Sequence, residues 1–181
     1  MSCKLIRRGA PALLLALALA APAAAAEPTV LAGQVAQVHD GDTPTVWLRT
    51  GPHAGDLARV RLSCADTPEL KVKGRWGDQP RGQEAQALAE RLIAGKRVHL
   101  VLTGGISHDR IVAQVVLPDG RDLGLTLMQA GLAWADLRYC QVRRDRAYLD
   151  ALDEASRAGL GIWADPEPFA PWTWRKERMG R

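Results

Sequence analysis

Between Leu57 and Ala65 the chain alternates without a break: Ala58, Val60, Leu62 and Cys64 fall on one face of an extended segment, Arg59, Arg61 and Ser63 on the other. Period-two apolar patterning marks a strand with one face in a core. The corner Asp66-Thr67-Pro68-Glu69 stops it, because proline lacks the N–H a ladder needs and turns the chain. Any fold for this chain must therefore set a strand arginine, Arg61, just ahead of a turn that carries two carboxylates.

The other elements are equally short. Val35 and Val38 lead into Asp40-Gly41-Asp42, and Val46 and Leu48 follow, which reads as two strands around a turn. Pro44 removes a ladder donor, so its strand is expected at an edge or beginning after Pro44. Val98, Leu100 and Leu102 give another strand, and Ile111 to Leu117 a further one, closed by Pro118-Asp119-Gly120. Ala85, Leu88, Ala89, Leu92 and Ile93 mark an amphipathic helix ended by Gly95. Asp122 can cap a second through Ala130, and a third runs from about Arg143 to Ala158. Five strands interleaved with three helices make an α+β chain, and a small barrel is the economical closure.

Residues 1–26 stand apart: Lys4, Arg7 and Arg8 precede an apolar run from Ala10 to Ala21, and alanines 23–26 precede Glu27. This is the tripartite pattern of a secretory signal peptide, and a run of about a dozen apolar residues is short for a bilayer span, which needs ~20. Cleavage is expected near Ala26, with a periplasmic or secreted product. Its removal takes three cations and no acids, so the net charge falls from +4 to +1. A polyanionic partner must then be argued from where charges sit rather than from their total. The remainder suits one domain over 27–165, followed by a Trp-rich, basic extension over 166–181. Cys64 and Cys140 admit a disulfide in an oxidising compartment, but two separate buried thiols are the expectation, since sequence does not bring their Cα atoms together. The scattered histidines and cysteines lack the paired spacings of a zinc site.

Asp40 and Asp42 share one turn, Asp66 and Glu69 another, each at a strand end. Four converging carboxylates would need a hard, oxygen-seeking cation to relieve their repulsion, Ca²⁺ being the simplest, with Mg²⁺ or another divalent ion as alternatives. Arg61 lies five residues before Asp66, and Arg110 opens another strand. Planar guanidinium groups suit a two-point grip on phosphate.

In the segments His39-Asp40-Gly41-Asp42-Thr43, Arg61 to Glu69, Gly82-Gln83-Glu84-Ala85, Gly131-Leu132-Ala133 and Gly159-Leu160-Gly161-Ile162-Trp163, the chain resembles the staphylococcal nuclease, or thermonuclease, family. The resemblance runs from about Val30 to Trp163. It implies an OB-fold barrel of five strands with three helices. It implies a Ca²⁺-dependent enzyme that cuts DNA and RNA with little sequence preference and leaves 3′-phosphates, acting as a monomer without a stable protein partner. It assigns Asp42, Asp66 and the Thr67 carbonyl to the metal, Arg61 and Arg110 to the phosphate, and Glu69 to the base that activates water. Asp40 is in a supporting position.

The chain departs from the family in several places. The segment Asp109-Arg110-Ile111 is about three residues shorter than the family's loop. Arg110 takes the catalytic arginine position when aligned on the strand but a neighbouring cation position when aligned on Asp109; the strand register is preferred because it keeps every apolar residue on its face. Of the family's two nucleotide-contacting tyrosines only Tyr139 is kept, with Leu137 in place of the other. Trp134 and Trp76 are the rings that could stack on a base instead, although packing is the commoner role. Over Pro166 to Arg181 aromatic and basic residues together could contact nucleic acid, but Phe169, Trp172 and Trp174 are rather expected to pack back on the barrel and leave Arg175, Lys176, Arg178 and Arg181 solvated. Arg138, Arg143, Arg144 and Arg146 read either as a phosphate track or as a solvated helix start. The alternative to an enzyme is a non-catalytic OB-fold module that binds nucleic acid or protein.

Overall fold

The computed structural model describes residues 28–70, 77–107, 109–140 and 146–179. The leader, the Lys71, Lys73, Arg75 and Trp76 segment, Arg143, Arg144 and Arg181 lie outside them.

Five strands close a barrel. They are β1 (Val30–Val38), β2 (Pro44–Leu48), β3 (Leu57–Leu62), β5 (Arg97–Ser107) and β6 (Arg110–Val116), joined in the order β1-β2-β3-β6-β5. β1 closes the ring against β5, and β3 runs parallel to β6, pairing Arg61 with Val112. Counting only barrel strands the order is 1-2-3-5-4, that of an OB-fold. Val35, Val46, Leu48, Val60, Leu62, Leu100, Ala113 and Val115 fill the interior. Where β1 crosses β2, a Cβ on Gly33 would lie 2.3 Å from Val46 Cγ1, so only glycine permits that approach.

Two sequence expectations change at the strand ends. β2 starts at Pro44, which pairs with Val38 in a closed barrel that has no edge there. First position in a strand is the other place that tolerates a missing N–H. β3 ends at Leu62 instead of running to Ala65: Cys64 adopts φ 65°, and the chain restarts as β4 (Ala65–Asp66), paired with β7 (Trp134–Ala135). This kink turns Asp66 inward, where it is fully buried.

Helix α1 (Gly82–Ile93) buries Gly82, Ala85, Ala89 and Ile93 along one stripe, with Glu84 in its first turn and Arg91 in its last, the arrangement its dipole favours. α2 (Leu123–Gln129) is capped by the Asp122 side chain, which accepts from Leu125 N–H at 2.7 Å, and buries Leu123, Leu127 and Met128. α3 (Arg146–Arg157) packs Tyr148, Ala151 and Ala155 inward. Beyond the three expected helices there is a fourth, α4 (Pro171–Met179), within the extension.

The α2 C-terminus and the segment after α3 meet backbone to backbone. A Cβ on Gly131 would stand 2.3 Å from the Leu160 carbonyl oxygen, and one on Gly161 2.2 Å from that of Gly131. Ile162 N–H donates to Gly131 C=O at 2.9 Å.

Cys64 and Cys140 form a disulfide with Cα atoms 4.2 Å apart, which corrects the expectation of two separate thiols. The kink at Cys64 brings the segments together: Cys64 N–H donates to Tyr139 C=O and Asp136 N–H to Cys64 C=O. That proximity is tertiary and leaves no trace in residue spacing.

Candidate active site

The two carboxylate turns meet at one end of the barrel. Gly41 makes the approach possible, since a Cβ there would lie 2.7 Å from Thr67 Cγ2. Asp40 Oδ1 accepts from Asp42 N–H at 3.1 Å and shapes the first turn. Thr67 N–H donates to Asp42 Oδ2 at 3.1 Å, tying the second turn to the first.

Arg61 sits between them. Its Nη1 donates to Asp42 Oδ2, and its Nη2 lies 2.8 Å from Asp66 Oδ1 and 3.6 Å from Asp136 Oδ2. The alternation correctly sets Arg61 opposite the core face, but that face is covered: the residue is only 4 % exposed, closed in by carboxylates and by the Tyr139 ring, whose centroid lies 5.6 Å from the guanidinium carbon. The Tyr139 ring also faces Arg138 at 5.8 Å. Arg138 in turn grips Asp136 through Nε at 2.9 Å and Nη2 at 2.8 Å.

Arg110, the first residue of β6, is half-buried and donates through Nη1 to Thr43 Oγ1 at 3.3 Å; Thr43 Oγ1 donates to Asp42 Oδ1 at 2.8 Å. The left-handed Asp109 (φ 62°) makes the tight turn that delivers it there. Both sequence arginines and both carboxylate turns therefore come to one place.

Glu69 stands at the rim. Its N–H donates to Gln79 Oε1 at 3.0 Å and its carbonyl accepts from Gln79 N–H at 2.8 Å, so the buried Gln79 fixes the corner. Gln79 Nε2 also donates to Phe169 C=O at 2.5 Å, joining this corner to the C-terminal extension.

From that extension comes a residue expected in solvent. Arg175 on α4 donates through Nη1 to Asp66 Oδ1 (3.1 Å) and to Glu69 Oε1, and through Nη2 to Asp66 Oδ2 (2.6 Å). Trp172 of the extension meets Trp134 of the domain edge-on at 5.6 Å, Trp134 lies 4.4 Å from Trp163, and within the extension Trp174 packs on Phe169 at 5.9 Å. Trp134 is thus engaged in packing. Asp136, Gln79 and Arg175 join the site although the sequence motifs do not include them. Asp136, two residues before Arg138, is the one with a local signal, since a fork of that kind suits a short turn.

The electrostatics follow from this crowding. Burial pushes the Asp42 carboxyl up to about 7, Arg61 pulling it down but Asp40 and Asp66 raising it further. Burial and the Glu69 charge likewise raise Asp40. Burial would raise Asp66 too, but Arg61 and Arg175 outweigh it and hold the group below the usual carboxylate range. Glu69 is raised, chiefly by burial and against the pull of Arg175. Excess buried negative charge around oxygen donors alone is the chemistry that suits a hard divalent cation. Yet among the described residues no three histidine, cysteine, aspartate or glutamate side chains are gathered as a ready cage. Asp42 and Asp66, with the Thr67 carbonyl, are the donors on offer, and Asp66 already spends both its oxygens on guanidinium groups.

Residues 59–165 match the family described as staphylococcal nuclease homologue. The chain is 32 % identical over 147 residues to an uncharacterized endonuclease of Escherichia coli, covering 81 % of this chain and 86 % of that protein. A Haemophilus influenzae uncharacterized endonuclease is 31 % identical, with 80 % and 72 % covered. A Shigella flexneri protein named micrococcal nuclease is 29 % identical, with 80 % of each covered.

Proposed function

The chain belongs to the staphylococcal nuclease family, and on that premise we propose that it is an exported, metal-dependent nuclease that hydrolyses phosphodiester bonds in DNA, RNA or both with little sequence preference, leaving 3′-phosphates. The observation that carries this reading is the convergence on Asp42: Arg61 grips it directly, and Arg110 reaches it through Thr43.

In this reading Asp42, Asp66 and the Thr67 carbonyl hold the cation, Ca²⁺ first and Mg²⁺ or another divalent ion otherwise. Bound there, it would polarise the phosphate and offset charge built up in the transition state. Arg61 and Arg110 grip the phosphate oxygens from two sides and stabilise that same charge. Arg61 is preorganised, because three carboxylates fix its plane. Glu69 takes the proton from an attacking water, the water oxygen bonds to phosphorus, and the bond to the 5′ oxygen breaks. Its raised pKa makes it a better base than an ordinary carboxylate. Tyr139, held against Arg61, lines the phosphate side. The leader expectation and the Cys64–Cys140 bridge both fit an oxidising destination.

The test is plasmid and single-stranded substrates with purified residues 27–181, in Ca²⁺, in Mg²⁺ and in chelator. Cleavage that chelator abolishes is expected. Absence of metal-dependent cleavage on every substrate would overturn the reading in favour of a binding module.

A further inference from the structure

The same guanidinium that engages Asp66 also engages Glu69. Asp66 Oδ1 accepts from Arg61 and Arg175 and Oδ2 from Arg175 again, while Glu69 Oε1 accepts from Arg175. One side chain thus occupies a proposed metal ligand and the proposed base together. While Arg175 stays, both oxygens of Asp66 and one of Glu69 are engaged.

We propose that α4 is an internal brake: Arg175 holds the place of the catalytic cation, and the nuclease loads metal only by exchanging this guanidinium for it. The inference rests on the metal-dependent reading above. Charge favours the exchange. A divalent ion brings one more positive charge to this carboxylate cluster than the guanidinium it replaces.

The anchoring of α4 suits a part that can leave. Phe169 and Trp172 remain 39 % and 37 % exposed, and Trp172 touches the domain edge-on at Trp134. A polar tether, the Gln79 amide donating to the Phe169 carbonyl, lies ahead of the helix. The helix lies beyond residues 59–165, the stretch that matches the family. A solvated role for Arg175 is not what the structure shows: the side chain is 21 % exposed and makes three bonds, all to these two carboxylates.

The experiment titrates Ca²⁺ calorimetrically into residues 27–181, into the Arg175→Ala variant and into Asp42→Asn as a site control, and follows hydrogen exchange of 171–179 in the unsubstituted chain. Arg175→Ala is expected to bind Ca²⁺ about tenfold more tightly, within the range of ordinary site-to-site coupling. Exchange in α4 of the unsubstituted chain is expected to speed up on Ca²⁺ addition. Equal Ca²⁺ affinities with α4 exchange unchanged would overturn the brake and leave the metal reading intact. Ca²⁺ binding by neither the parent nor Arg175→Ala would remove the metal reading, and the brake with it. If the variant does not fold, the exchange measurement decides alone: α4 equally protected with Ca²⁺ bound overturns the proposal.

Discussion

Arg110 reaches Asp42 through a single hydroxyl: its Nη1 lies 3.3 Å from Thr43 Oγ1, which donates to the Asp42 carboxylate at 2.8 Å. Arg110 forms no ion pair with a carboxylate among the described residues, so removing it costs the fold little. Arg110→Ala is expected to lower turnover ~10³-fold, the scale of an arginine that stabilises phosphoryl-transfer charge. Unfolding free energy should stay within ~0.5 kcal/mol of the parent. Steady-state kinetics beside a urea titration check both; near-parental kcat would move the second phosphate grip elsewhere.

Arg61 should behave differently. It is buried against Asp42, Asp66 and Asp136, and its removal strands buried charge. Losing one partner of such a group costs ~3–5 kcal/mol. Arg61→Ala is therefore expected to lower both activity and the urea midpoint, so that the two arginines are told apart by stability as well as by rate.

Asp42 gives a pH signature. Its carboxyl is raised from 3.8 to about 7 in the folded chain. The contribution it makes to stability is fully present below the unfolded value and is lost as pH rises through about 7. Asp66 runs the other way: its pKa is lowered, so its contribution is lost only under acid and adds no slope near neutrality. In chelator, the stability of the parent relative to Asp42→Asn should decline from about pH 4 to about pH 8, by ~4 kcal/mol at most. A flat difference across that window would show that Asp42 is ionised throughout.

The disulfide joins residues 76 apart in sequence. It ties the kink before Asp66 to the segment that carries Tyr139 and Asp136. Replacing both cysteines by serine is expected to cost ~2–4 kcal/mol, mainly by freeing the unfolded chain. Chemical denaturation of the double variant, compared with the disulfide-bonded parent, measures it.

Much of this was legible in the residues. The alternation before Asp66 places Arg61 opposite the core, and Asp40-Gly41-Asp42 reads as a turn between two strands, but that its glycine serves close approach to Thr67 rather than a positive φ shows only in the fold. Helix faces follow from apolar spacing because α1, α2 and α3 each bury one stripe. The strand break at Cys64 was hidden because side-chain alternation continues through a residue whose backbone turns left-handed. The disulfide, and the approach of Asp136 to Arg61, depend on which loops meet. Arg175 had no readable signal at all: in a tail of tryptophans and cations, nothing local separates the arginine that turns back onto two carboxylates from neighbours such as Lys176, which is exposed.

The crossing of Gly131 with Leu160-Gly161 gives the C-terminal segment a fixed origin, since a side chain on Gly131 would displace the Leu160 backbone and one on Gly161 that of Gly131. From there the chain is a measured length: Gln79 catches it at Phe169, Trp172 and Trp174 set the rotation of α4, and Arg175 comes next. One residue inserted between Trp174 and Arg175 would turn the guanidinium by ~100° about the helix axis. The barrel, its core and every aromatic contact would remain. What this stretch has to conserve is a count of residues, and a change of one is enough to unlock the carboxylates.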